Sequence, residues 1–135
     1  TVHSNSLLLR NFPNVALSFI APENLNLPEE YAKEGDYFGD TLSDEILANS
    51  DVIYMTRVQK ERFPNLEAYE AVKNKFIFDE ATVKKMGAKS ILMHPLPRVN
   101  EITLGVDDLP QARYFDQARN GVPMRMALIK YCLEG

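Results

Sequence analysis

Three short apolar runs, at 15–21, 51–55 and 90–93, alternate with stretches whose apolar residues recur at helical spacing. That alternation admits few folds. Strands separated by helices pack as an α/β domain with a parallel sheet and right-handed crossovers. The runs are nearly continuous in apolar character, as expected of strands buried on both faces. Helices are expected from Thr1 to about Phe12, with Thr1 or Ser4 as cap, and in a short segment opened by Pro28. Further helices are expected from Ser43 to Asn49–Ser50, over Leu66–Phe76, and from Asp79 to Met86 with Gly87 as a stop. The C-terminal region reads as helical over Gln111–Ala118, broken or bent at Asn120-Gly121, with a final helix over Met124–Leu133. Gly35–Asp40 reads as a turn or weak strand, and Ile77-Phe78 as a brief strand. The expected class is a doubly wound, three-layer parallel sheet with helices on both faces. Such domains begin on a central strand, whereas this chain opens on a helix, so either the fold is unusual or its first central strand lies upstream of Thr1.

A chain of 135 residues is long enough for one domain with its own core. Fifteen basic and 19 acidic residues give a net charge of -4, with the signs interspersed. No basic stripe points to nucleic acid and no polybasic segment to an anionic membrane. The apolar runs are too short to span a bilayer. The single Cys132 excludes an internal disulfide, argues against a thiolate metal site and fits a reducing, cytoplasmic setting. A start at Thr1 rather than Met points to a processed or partial chain.

The third apolar run feeds directly into His94-Pro95-Leu96-Pro97-Arg98. The two prolines remove two N–H donors and fix φ, and residues that precede proline are pushed toward extended conformations. Either X-Pro bond can be cis. In open α/β sheets ligands sit beyond the carboxyl ends of the strands, so a rigid strap here can hold a small polar ligand at little ordering cost. The alternative is a proline-stiffened surface turn. The second run leads into Thr56-Arg57-Val58-Gln59-Lys60-Glu61-Arg62. In extended chain Arg57 and Gln59 project to one side, where a guanidinium fork and an amide can bind a carboxylate. A solvated charge cluster is the competing reading. If the strands are parallel, both loops open on one edge of the sheet and line one cleft.

Asp51-Val-Ile-Tyr-Met-Thr-Arg-Val-Gln-Lys-Glu-Arg-Phe63, His94-Pro-Leu-Pro-Arg-Val-Asn-Glu-Ile102, Tyr114-Phe, Gln117-Ala and Asn120-Gly together resemble the C-terminal half of aspartate carbamoyltransferase. Thr1-Val2-His3-Ser4 is similar to the opening of that half's first helix. The resemblance covers essentially the whole chain. Ornithine carbamoyltransferases carry Cys where this chain has Pro95 and lack the Arg-Val-Gln-Lys-Glu-Arg loop, which favours aspartate. The resemblance implies transfer of a carbamoyl group from carbamoyl phosphate to L-aspartate, an early step of pyrimidine synthesis. It implies that Arg57 binds an aspartate carboxylate with help from Gln59 and Thr1. It also implies that main chain at Leu96 and Pro97 contacts carbamoyl phosphate, with a cis bond before Pro97. Glu61 and Arg62 resemble residues of a mobile loop that closes over substrate, with Glu61 orienting Arg57.

The implied chemistry holds two anionic substrates in line with fixed cations and needs no metal or organic cofactor. The family's Ser-Thr-Arg-Thr phosphate loop and its electrophile-polarising groups belong to the other half. The Arg that precedes Thr-Val-His-Ser, a second aspartate ligand, would stand before Thr1. The expectation is therefore an aspartate-binding domain, inactive alone, whose partners are the carbamoyl-phosphate domain of the same enzyme and two further copies in a trimer. A non-catalytic relative and a carbamoyltransferase for another amino acid are the alternatives. His94 and His3 read as mainly structural, Cys132 as core, Met124 and Met126 as packing, Asp107-Asp108 as a turn, and Arg119 and Arg125 as solvated. The last helix is expected to show a bare apolar face unless a partner covers it.

Overall fold

The computed structural model describes residues 1–22, 25–60 and 63–134. The chain divides into two compact units, residues 1–43 and 44–135. In the first, helix α1 (Val2–Leu9) starts at Thr1 without a side-chain cap bond. Ser4 Oγ instead donates to the Thr1 carbonyl at 2.9 Å. Strands β1 (Ser18–Ile20) and β2 (Tyr37–Gly39) pair in parallel, Phe19 opposite Phe38 with ring centroids 5.2 Å apart. Between them, Glu29–Tyr31 forms one 3-10 turn after Pro28. Gly35 takes φ +93, the left-handed conformation that favours glycine, just before β2. The Arg10 guanidinium ties this unit together, donating to Asp36 Oδ1 and Oδ2 at 3.2 and 2.7 Å and to the Tyr31 carbonyl at 2.5 Å. His3 stacks on Tyr31, centroids 4.3 Å apart.

The second unit holds the larger core. Strands β3 (Val52–Tyr54) and β4 (Ile91–Met93) pair in parallel, Ile53 opposite Leu92. The unit also holds α2 (Asp44–Asn49), α3 (Leu66–Glu70), α4 (Glu80–Val83), a 3-10 turn at Leu104–Asp108, and α5 (Tyr114–Glu134), with α4 against the 3-10 turn and α5 against β4. Leu47, Phe78, Val83, Leu92, Ile102, Val106 and Tyr114 are at most 2% exposed and form the centre of the core. Asp79 caps α4, its carboxylate accepting from Thr82 N at 2.7 Å. Phe78 makes a single parallel bridge to Ile102, in place of the expected brief strand.

The α/β class with parallel pairing is as expected, but several details differ. The strands are three residues long, and Val15 and Val52 are 43% and 50% exposed rather than buried. On its other side β4 makes one further parallel bridge, Leu92 to Ala112, with Leu92 N donating to the Gln111 carbonyl at 2.7 Å and Arg113 N to the Leu92 carbonyl at 3.0 Å. The expected helix over 66–76 stops at Glu70 and continues as turns. Gly87 does not take a left-handed stop conformation. It is there for space: a Cβ would sit 2.7 Å from Ser90 Oγ and 3.0 Å from the Ala48 carbonyl oxygen. The two expected C-terminal helices are one, α5, 21 residues long with Pro123 inside. Proline costs about 3 kcal/mol in a helix interior and glycine about 1, yet the helix runs unbroken through both. Arg125 also donates to the Gly121 carbonyl at 2.9 Å. Cys132 is exposed, not core, because the last turns of α5 meet no neighbour among the described residues. Met124 and Met126, expected as packing residues, are 70% and 65% exposed, and with Leu128, Ile129, Tyr131 and Leu133 at 60–81% the apolar residues of this half of α5 lie bare all round the helix.

Candidate functional site

Both loops of interest leave the carboxyl ends of paired parallel strands. Met55 N donates to the Met93 carbonyl at 2.9 Å, the last bond before the chains diverge. Beyond it, Arg57, Val58, Lys60, Tyr69 and Lys73 face Val99, Asn100 and Glu101 across a cavity of about 70 Å³. That volume has room for a small polar group such as a carboxylate, against several hundred Å³ for a complete small-molecule site. It is one charged wall of a site rather than a whole one. Three cations line it. The Lys73 main-chain N–H donates to the Tyr69 carbonyl at 2.9 Å, and its ammonium pairs with Glu70.

The strap has a defined geometry. The Leu96–Pro97 bond is cis and His94–Pro95 is not. Leu96 is not extended, as expected of a residue before proline, but has φ +54. For a residue with a Cβ that conformation costs about 1–2 kcal/mol, which the surroundings must offset. They do so at both ends. His94 is 1% exposed. Its backbone N–H donates to Gln117 Oε1 on α5 at 3.1 Å, and Gln117 Nε2 lies 3.3 Å from Tyr54 Oη. Its ring Nδ1 accepts from Leu96 N at 2.8 Å, and Nε2 lies 2.8 Å from Glu101 Oε1. Glu101, also buried, accepts from Val99 N and Asn100 N at 3.1 Å each. At the far end Arg98 forks onto Asp107, with Nη2–Oδ2 at 2.6 Å, and Tyr114 Oη donates to Asp107 as well. Arg98 lies over the rings of Tyr114 and Phe115.

These contacts set the charges. Burial pushes the His94 ring below its ordinary range, against the pull of Glu101, and Arg98 and Arg57 lower it further. The hydrogen bond from Arg98 holds the Asp107 carboxyl low. Burial, then the bond to Asp107, pushes the Tyr114 phenol up to about 12. Asp107 is therefore a strut of the strap and not a free turn acid. Among the described residues no cluster of His, Cys, Asp or Glu is arranged to hold a metal.

Arg57 thus meets the residues that follow the strap across one cavity. Leu96 and Pro97 lie within the strap and do not line that cavity, and neither does Gln59. The strand ends at Tyr54, so two-residue alternation no longer governs 57–59, and Val58 faces the cavity beside Arg57. Thr1 belongs to the first unit, at the N-cap of α1. Glu61 and Arg62 lie outside the described residues. Glu101, Gln117, Lys60 and Lys73 escaped sequence reasoning. Lys73 follows Tyr69 by one helical turn, a spacing that places both on one face and was available as a signal.

No helix among the described residues is long and apolar enough to cross a membrane. Residues 1–132 match the family described as aspartate/ornithine carbamoyltransferase, Asp/Orn binding domain. The chain is 44% identical over 139 aligned residues to the aspartate carbamoyltransferase catalytic subunit of Methanocaldococcus jannaschii, covering 99% of this chain and 45% of that protein. The aspartate transcarbamoylase of Trypanosoma cruzi, solved in complex with carbamoyl phosphate, superposes with a TM-score of 0.84 at 38% identity, over 96% of this chain and 44% of that one. The same enzyme solved with carbamoyl phosphate and aspartate gives 0.83 at 38% identity, over 96% and 45%. The chain therefore spans about half the length of the relatives it matches. A charged wall and a braced proline strap at the ends of paired parallel strands, on a sequence that matches from residue 1 to residue 132, place this chain in the aspartate/ornithine carbamoyltransferase family, as its Asp/Orn binding domain.

Proposed function

We propose that the chain is the aspartate-binding domain of an aspartate carbamoyltransferase, which moves a carbamoyl group from carbamoyl phosphate to the amine of L-aspartate in pyrimidine synthesis. The observation that carries this reading is the cavity where Arg57, Lys60 and Lys73 face Val99–Glu101. A dicarboxylate needs fixed cations and a rigid wall, and this arrangement supplies both. Arg57 binds one aspartate carboxylate as a bidentate fork. Gln59 and Thr1 assist, and main chain at Leu96 and Pro97 meets carbamoyl phosphate. Glu61 and Arg62 close the loop over substrate. In the relatives' complexes the bound molecules are carbamoyl phosphate and aspartate, which supports the choice of substrates.

A 70 Å³ wall does not enclose two substrates, so this chain alone is proposed to be inactive, and the carbamoyl-phosphate domain supplies the other wall. We further propose a cytoplasmic homotrimer with a doubly wound, three-layer parallel fold, in which the exposed apolar residues of α5 are covered by the same enzyme. The test is carbamoyl transfer by the longer protein that carries this domain, with L-aspartate and L-ornithine offered in competition. Carbamoyl-aspartate as the product supports the reading. Citrulline as the main product assigns another amino acid, and no transfer to either leaves a non-catalytic relative.

A further inference from the structure

We propose that His94 is a positioning residue of the substrate site, its neutral ring fixing the left-handed turn at Leu96 that presents the strap's main chain to substrate. The inference rests on the aspartate reading above and names what holds that site in shape. Both ring nitrogens are occupied. Nδ1 faces the Leu96 N–H at 2.8 Å and must be bare to accept it. The one ring proton then sits on Nε2, 2.8 Å from Glu101 Oε1, which can only accept from it. Glu101 uses its remaining capacity on Val99 N and Asn100 N. With the ring 1% exposed and no nitrogen left over, His94 cannot meet a substrate proton. It acts through the chain it holds.

Only one protonation state satisfies this clasp. A second proton would go to Nδ1 and set two donors against each other at 2.8 Å. The groups acting on the ring are Glu101, which favours that proton, and Arg98 and Arg57, which oppose it together with burial. Gln117, an uncharged amide, faces the His94 main chain, with Tyr54 Oη beyond it. Sequence alone marks His94 as structural; the geometry adds that its Nδ1 lone pair holds a residue whose φ of +54 needs a restraint.

The test uses the longer protein that carries this domain, with two variants that divide the ring. In His94→Asn the side-chain oxygen falls near the place of Nδ1 and keeps the acceptor for Leu96. In His94→Gln the amide reaches the place of Nε2 and leaves Leu96 N–H without one. Hydrogen exchange read by mass spectrometry over residues 94–98 is expected to stay slow in His94→Asn and to speed at least tenfold in His94→Gln. The kcat for aspartate is expected to fall at least tenfold further in the Gln variant than in the Asn variant, with a smaller change in KM. The wild-type rate is expected to show an acid limb below pH 6.5 that His94→Asn lacks. Equal exchange in the two variants, or an acid limb unmoved by His94→Asn, overturns the inference. Should His94→Gln fail to fold, the acid limb decides alone. Exchange that behaves as expected in a protein without aspartate activity overturns the functional reading and leaves the clasp standing.

Discussion

Replacing Asp107 by Asn tests whether the far end of the strap is held by charge. Arg98 forks onto both carboxylate oxygens, with side chains 13% and 27% exposed, and Tyr114 adds a third donor. Exposed pairs contribute up to about 1 kcal/mol, and breaking fully buried ones costs about 3–5. This pair lies between, and Asn keeps one acceptor oxygen, so the expected loss is about 2 kcal/mol. For a domain of this size that lowers Tm by about 8 °C. Urea titrations of both proteins at pH 7 measure it directly. The pH dependence supplies a second reading. Arg98 lowers the Asp107 carboxyl below its usual 3.8, so its contribution is complete above that value and is lost as pH falls through the lowered one. The gap between wild type and Asp107→Asn should therefore close in acid. A difference under about 0.5 kcal/mol at pH 7, or a gap that persists in acid, would refute the reasoning.

Other outcomes follow from the same contacts. Leu92 is fully buried between β3 and the Gln111–Arg113 segment, so Leu92→Ala should cost about 2–5 kcal/mol in urea unfolding. Asp79→Ala removes the α4 cap and should cost about 1 kcal/mol, whereas Asp79→Asn should recover most of it. The Tyr114 phenol is raised from 10 to about 12, so the folded state keeps a proton that the unfolded chain gives up above pH 10. Stability should fall as pH rises from 10 through about 12, and Tyr114→Phe should remove that part of the slope in thermal melts.

What sequence could reveal was local. Alternating apolar runs and helical spacing reflect burial on one side of an element, so the α/β class and the Asp79 cap were readable residue by residue. The cis bond before Pro97 followed from resemblance to a known family. Pairings set by the tertiary fold were not readable. Arg10 and Asp36 are 26 residues apart, and nothing near either names the other. Glu101 returns to His94 only because the strap turns back at Leu96. Gly87 looked like a helix stop, yet its constraint comes from Ser90 and Ala48, a contact invisible in the α4 pattern. Two-residue alternation places Gln59 beside Arg57, but the strand ends at Tyr54 and Val58, not Gln59, lines the cavity with Arg57. Propensity marked Asn120-Gly121 as a break or bend, but the helix continues through it for 21 residues.

The most direct test of the account is the aspartate dependence of Arg57→Ala in the longer protein that carries this domain. Arg57 lies on the cavity wall opposite Val99–Glu101. Loss of a bidentate charge-assisted contact of about 2 kcal/mol should raise the aspartate needed for half-maximal rate about 30-fold, with the melting temperature unchanged. An unchanged aspartate dependence in a folded variant would contradict the assignment of this wall to aspartate.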